Sequence, residues 1–254
     1  MTFKPGLALA VLAAAAGCLL PLTAGAAWEA GAGMEYFTLH TQFEDGVGQK
    51  YDTVLQSTLT HARVSWAEAG WLATLAGGWS DWNVSGEWDI PGQPRLSAEP
   101  FYWVGQDQWT AEVLYRFFGG FTAGARYTHR NLTHYEGPSH YTFMRYQEQY
   151  TEGLLGYQWQ VTPSLTLSAL AGYAPWTGVD FFESIYFTVL DIEVIRYATQ
   201  RTGSRWQGLL GFRYRDSAGW GLELQYSLSR SVFSGTPVLN AVSGSIAGAL
   251  ILMF

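Results

Sequence analysis

Arg205–Arg230, RWQGLLGFRYR-DSAG-WGLELQYSLSR, sets the period of the whole chain. Trp206, Gly208, Leu210, Phe212 and Tyr214 alternate with Arg205, Gln207, Leu209, Arg213 and Arg215. After Asp216-Ser217-Ala218-Gly219, Trp220, Leu222, Leu224, Tyr226 and Leu228 alternate with Gly221, Glu223, Gln225, Ser227 and Ser229. A period of two on both sides of a short Asp/Gly turn predicts an antiparallel β-hairpin. The apolar face is wide and carries aromatics near the turn, while the other face holds arginines, a glutamate and a glutamine. That is the pattern of a strand pair whose oily face meets lipid and whose polar face meets a lumen.

The composition fits that reading. The chain holds 12 Trp, 15 Tyr and 14 Phe with only 14% charged residues, an aromatic-rich and charge-poor makeup for a soluble secreted domain. No stretch after the N-terminal leader is long and apolar enough for a spanning helix. Antiparallel strands remove the conflict, because each successive pair of residues divides between lipid and lumen. The net charge of −7 argues against a nucleic-acid partner.

Residues 1–26 read as a secretory signal: Lys4 gives the positive start, Leu7 to Leu22 the apolar run, and Ala24-Gly25-Ala26 the small-x-small cleavage site. A lipoprotein signal acylated at Cys18 is the rival, against which Leu19-Leu20-Pro21-Leu22 continues the apolar run. Loss of Cys18 with the signal leaves residues 27–254 without cysteine, and so without disulfide, thiol or cysteine-metal chemistry.

Ten strands are predicted: Trp28–Phe43, Thr53–Trp66, Trp71–Val84, Phe101–Phe117, Gly120–His134, Tyr141–Val161, Ser164–Trp176, Arg196–Arg215, Gly219–Ser234 and Ala241–Phe254. Short connections fall at Ala67–Gly70, Gly119-Gly120, Thr162-Pro163 and Ser217-Ala218. Long ones fall at Glu44–Asp52, Asp81–Pro100, Asn131–His140 and Thr177–Gly203. The expected fold is an all-β, ten-stranded antiparallel transmembrane barrel in the bacterial outer membrane, with both termini periplasmic. The last strand puts Val242, Ile246, Leu250, Leu252 and the terminal Phe254 on one face. Bacterial outer-membrane proteins resemble it in ending on an aromatic that the barrel assembly machinery reads, so that machinery is an expected partner.

Trp109, Ala111, Val113, Tyr115 and Phe117 are expected to face lipid, which turns Glu112 and Arg116 inward. Phe121, Ala123, Ala125 and Tyr127 do the same for Arg126 and Arg130. With Glu152, Arg213, Arg215 and Glu223 these form an expected lumen charge network, since a lone charge between protein walls is costly. A ten-stranded lumen is narrow and is expected to be filled by it. The first two strands alternate poorly, and their faces are not assigned.

Several stretches resemble the omptins, ten-stranded outer-membrane proteases of Gram-negative bacteria. They are Ser65-Trp66 through Leu75-Ala76-Gly77-Gly78-Trp79, Ala123-Gly124, Gly137-Pro138-Ser139-His140-Tyr141, Tyr146-Gln147-Glu148-Gln149-Tyr150 and Tyr173-Ala174-Pro175-Trp176. The resemblance spans most of residues 27–254 and implies a site at the outer mouth, with a water held between an acidic pair and an Asp/His dyad. It sets Ser85 and Glu87, with Asp89 beside them, at the acidic pair. It sets Glu183 and Ile185 at the dyad, followed by Tyr186. Glu87, Asp89 and Glu183 are therefore the candidate catalytic residues of a protease reading. Isoleucine cannot accept a proton, so Ile185 leaves the general base unfilled. His129, His134 and His140 gather near the outer end of the fifth strand as candidate replacements; solvated or girdle histidines are the blander reading, and no metal site is expected.

Three functions follow. The first is a non-enzymatic surface barrel, structural or adhesive, whose outer segments Trp82–Pro100 and Thr177–Arg201 bind an extracellular protein or peptide. Trp88, Phe101, Tyr102, Trp103, Phe181, Phe182 and Tyr186 would form its contact surface. The second is an omptin-like endopeptidase with a rearranged acidic site, and the third a small passive pore. No cofactor is expected; outer-membrane lipid and lipopolysaccharide are the expected surroundings, with lipopolysaccharide as a candidate bound lipid.

Overall fold

The structure, a computed structural model, describes residues 27–44, 50–80, 87–89, 102–136, 141–187, 192–235 and 238–254. The leader at 1–26, Cys18, His140 and the connection from Gly137 to Ser139 lie outside the described residues. Eleven strands follow in order: β1 (Ala27–Glu44), β2 (Lys50–Glu68), β3 (Trp71–Ser80), β4 (Glu87–Asp89), β5 (Tyr102–Arg116), β6 (Phe121–Glu136), β7 (Tyr141–Thr162), β8 (Leu165–Phe187), β9 (Ile192–Arg215), β10 (Trp220–Phe233) and β11 (Val238–Met253). All neighbours are antiparallel, and β1 pairs with both β2 and β11, which closes the sheet.

The eleven strands make ten walls. Strand β2 pairs with β3 up to Thr60↔Trp79 and then with β4 at Val54↔Glu87, so β4 carries the third wall outward past the break at 81–86. One circuit of the hydrogen-bond ladder slips β1 by about twelve residues, which tilts the strands by about 40°. The seam is finished by Phe254 N–H donating to Trp28 C=O at 2.9 Å.

The periplasmic turns are tight where the sequence puts Gly. Ala69 (φ 49°) and Gly70 (φ 87°) occupy a two-residue turn between the paired Glu68 and Trp71. Positive φ at both central residues is the hairpin geometry that matches strand twist.

The expected outer loops need correction. Thr177–Gly203 is a hairpin extension rather than a loop: β8 runs to Phe187 and β9 starts at Ile192. Tyr102 and Trp103 belong to β5, Trp88 to β4, and Phe181, Phe182 and Tyr186 to β8. The period of two persists through this stretch, but alternation weakens above the membrane because neither face meets lipid there.

Two aromatic girdles fix the membrane span. At the turn end Trp71 packs on Tyr115 (4.7 Å between centroids), Phe121 on Tyr157 (5.1 Å), Tyr157 on Trp159 (4.7 Å) and Tyr214 near Trp220 (5.9 Å). Farther up, Trp109 packs on Tyr127 (4.8 Å) and Tyr173 on Trp206 (4.2 Å). The two levels are separated by about 20 Å along the barrel axis, close to the height of an outer-membrane apolar band. Between them Leu155, Leu210, Leu224, Leu250 and Val113 are exposed, as lipid-facing residues must be.

Candidate functional site

The lumen has two storeys. Within the membrane span it is mainly polar, with a small apolar cluster of Leu114, Leu154 and Leu209. Glu223 binds Arg63 through both carboxylate oxygens and accepts from Arg213 Nε at 2.6 Å, while Glu29 pairs with Arg215 and lies 3.6 Å from Arg213. Higher up, Arg126 donates Nε to Glu112 at 2.8 Å and faces Glu152 at 3.6 Å. A cavity of about 620 Å³ runs through this storey, lined among others by Arg63, Glu112, Arg126, Arg213 and Glu223, and it reaches the turn end at Glu68, Ala69 and Gly70.

The roof of this storey is a fully buried ion cluster. Arg205 donates Nη1 to Glu148 at 3.1 Å and to Ser231 at 3.1 Å, Ser231 donates to Glu148 at 3.0 Å, and Arg130 lies 3.5 Å from Glu148. Arg130 also sits over the Phe37 ring at 4.2 Å and Arg205 over Tyr150 at 4.5 Å. Every charge here has a partner, the condition for carrying charge out of water.

Above the cluster the lumen becomes mainly apolar, with Ser57, Ser80, Gln106 and His134 buried among the hydrophobic residues. Phe37, Leu39, Leu55, Leu59, Leu132, Met144, Tyr146, Val179, Phe181, Phe233, Leu239 and Ala241 pack together as a septum across the barrel. They come from seven walls, and most outward residues on the same stretches are polar, among them Thr38, Gln56, Thr58, Asn131, Arg145, Gln147 and Asp180, while Val232 and Val242 are apolar exceptions. Asn131 donates to Asp107 at 3.1 Å, and Arg145 reaches Asp180 at 3.4 Å on this outer surface.

The lumen residues named from sequence divide as follows. Glu112, Arg126 and Glu152 meet in one group, Arg213, Arg215 and Glu223 in the lower group, and Arg130 in the roof cluster. Arg116 stands exposed at the turn rim beside the cavity mouth. Glu29 and Arg63 were missed because β1 and β2 had no assigned face. Glu148 and Arg205 were missed for another reason: Arg205 was already on the polar face of the opening hairpin, but nothing local pairs it with a residue 57 positions away.

Of Glu87, Asp89 and Glu183 the structure describes the backbone. Glu87 pairs with Val54 and Asp89 with Asp52 at the outer end of β2. Glu183 pairs with Met144 and Tyr197 at the outer end of β8. Glu87 and Asp89 stand in the third wall, four steps from β8 one way round the sheet and six the other, so these acids and Glu183 stand on well-separated walls of the mouth. His129 lies on the outward face and stacks on Trp109 at 5.8 Å, which takes it out of the mouth. His134 is buried in the lumen, and its register neighbour Met144 is also the neighbour of Glu183. Two strand spacings, about 10 Å, therefore separate the His134 and Glu183 backbones. Among the described residues no group of His, Cys, Asp or Glu is arranged to hold a metal ion.

No protein-family model matches the chain, and no curated protein sequence matches it. Solved structures do. The outer membrane protease OmpT of Escherichia coli superposes with a TM-score of 0.66 at 8% identity, covering 93% of this chain and 99% of that one. The translocator domain of the autotransporter NalP from Neisseria meningitidis gives 0.47 at 11% identity over 98% and 94% of the two chains. Neisserial surface protein A gives 0.33 at 11% identity over 91% and 100%. The OmpT match carries the comparison: the chain has an omptin-like, ten-walled fold of the kind integral to the bacterial outer membrane.

Proposed function

We propose that this is a non-enzymatic surface barrel of the adhesive kind, whose walls above the outer girdle bind an extracellular polypeptide. The observation that carries this reading is the septum, a mainly apolar filling where a water-based protease needs an open polar cleft. Ile185 agrees with it, since the dyad position of the resemblance holds no proton acceptor. The septum also counts against a passive pore, because an apolar constriction resists wetting. In this reading residues 1–26 leave as a signal peptide, Phe254 presents the chain to the assembly machinery, and lipopolysaccharide is the surrounding lipid.

One observation favours a second reading, an endopeptidase with a rearranged site. His134 is buried at the level of Glu183 and would be the base that Ile185 cannot be. A fluorogenic peptide assay on refolded protein with lipopolysaccharide separates the two. The surface-barrel reading expects no cleavage; cleavage abolished by both Glu183→Gln and His134→Ala would replace it with the protease.

A further inference from the structure

Strand β9 is only partly covered. Strand β10 pairs with it from Arg215 up to Gly203, and one further rung, Ser234 N–H to Thr202 C=O at 3.0 Å, ends the pairing. From Arg201 to Ile192 the strand continues, held on one side by β8. Among the described residues no strand pairs with its other edge. Thr202 turns its carbonyl toward β10, and backbone groups change sides at every residue. Gln200 and Ala198 therefore present N–H and C=O on the open side, while Arg201 and Thr199 face β8.

Strands β10 and β11 stop at Phe233 and Val238, and among the described residues no strand continues alongside this edge. The edge also lies above the outer girdle, since Trp206 sits in that girdle and β9 rises from there to Ile192. A row of unpaired donors and acceptors in water is a template for another strand.

We infer that the outer edge of β9 is a docking strand for an extended segment of an extracellular polypeptide, taken up by main-chain hydrogen bonds as a continuation of the β10 wall. Only an extended polypeptide repeats donors and acceptors at the spacing this edge offers. A second copy fits worse. Two barrels in one membrane have β9 running the same way, which leaves only the slanted and weaker parallel ladder. Recognition through the backbone would tolerate many sequences. The inference rests on the surface-barrel reading and names its partner by chemistry.

The test uses refolded full chain in detergent and fluorescein-labelled ten-residue peptides tiled over reduced, carboxymethylated serum albumin. Some peptides are expected to bind and to slow hydrogen exchange at the Ala198 and Gln200 amides. Ala198→Pro with Gln200→Pro removes two open-side donors and leaves the β8 rungs, so affinity should fall about tenfold. The same peptides N-methylated at alternate residues should also bind about tenfold more weakly to the unaltered chain, a result independent of how the proline variant folds. Binding indifferent to both changes would overturn the edge and leave a surface binder that uses another face. No binding, or no protection of these two amides, would overturn the edge as well. Cleavage of the peptides would instead overturn the surface-barrel reading itself.

Discussion

Below the outer girdle the barrel is mainly polar inside and apolar outside; above it the balance is reversed, with a mainly apolar filling behind a mainly polar outer surface. Strand β1 crosses the boundary within one residue step. Ala30, Ala32, Met34 and Tyr36 point outward with Glu29 and Glu35 inside, and then Phe37 and Leu39 point inward with Thr38 and His40 outside. The backbone keeps its pleat while the hydrophobic phase slips by one. Strand β2 does the same between the inward Leu55 and Leu59 and the outward Val64 and Trp66. The solvent on the outer face thus sets which side of a strand must be apolar, and one strand can serve two solvents.

The comparison is broken most severely by emptying the septum. Phe37→Ala with Phe233→Ala should destabilise the barrel by more than the roughly 3–5 kcal/mol of a single buried Phe→Ala change. Denaturant unfolding in detergent would measure it. The same variant should show conductance steps in planar bilayers where the unaltered protein shows none. A steady large conductance of the unaltered protein would mean that the septum does not seal.

Next in size is the roof cluster. Glu148→Ala leaves Arg130 and Arg205 buried without their shared carboxylate and should cost about 3–5 kcal/mol. Replacing all three with apolar residues of similar volume should recover most of that loss, as read from the same unfolding curves.

A matched pair of arginines tests the boundary directly. Leu224→Arg places a cation in mid-membrane lipid and should cost about 2–4 kcal/mol. Gln149→Arg, on the outward face above the girdle, should change stability by no more than about 0.5 kcal/mol. Equal penalties would move the membrane boundary. The smallest effect is expected for Arg145→Ala, which removes an exposed pair with Asp180 worth about 0–1 kcal/mol.

The hairpin of β9 and β10 was legible from sequence because its membrane-spanning part keeps one phase from Trp206 to Leu228. The first two strands were not, and the phase slips at Tyr36/Phe37 and between Leu59 and Val64 are the reason: a search for one alternating face averages two opposite patterns to nothing. The length of β8 and β9 was hidden likewise, since above the girdle polar residues on the outward side read as a loop. For the candidate site, the sequence located the acids near the mouth, but their placement four walls apart needed the closed sheet. The outward turn of His129 needed only the strand phase, because it follows Tyr127 on the lipid-facing side.

The septum draws on β1, β2, β6, β7, β8, β10 and β11, so both ends of the chain contribute to it. It therefore cannot assemble while the sheet is still an open ribbon. Only the closure at which Phe254 meets Trp28 gives the apolar side chains from the two ends of the chain a facing wall. Sealing is thus a property of the closed sheet rather than of any strand, and the same pairing that completes it leaves no free edge at the seam for lipid to meet.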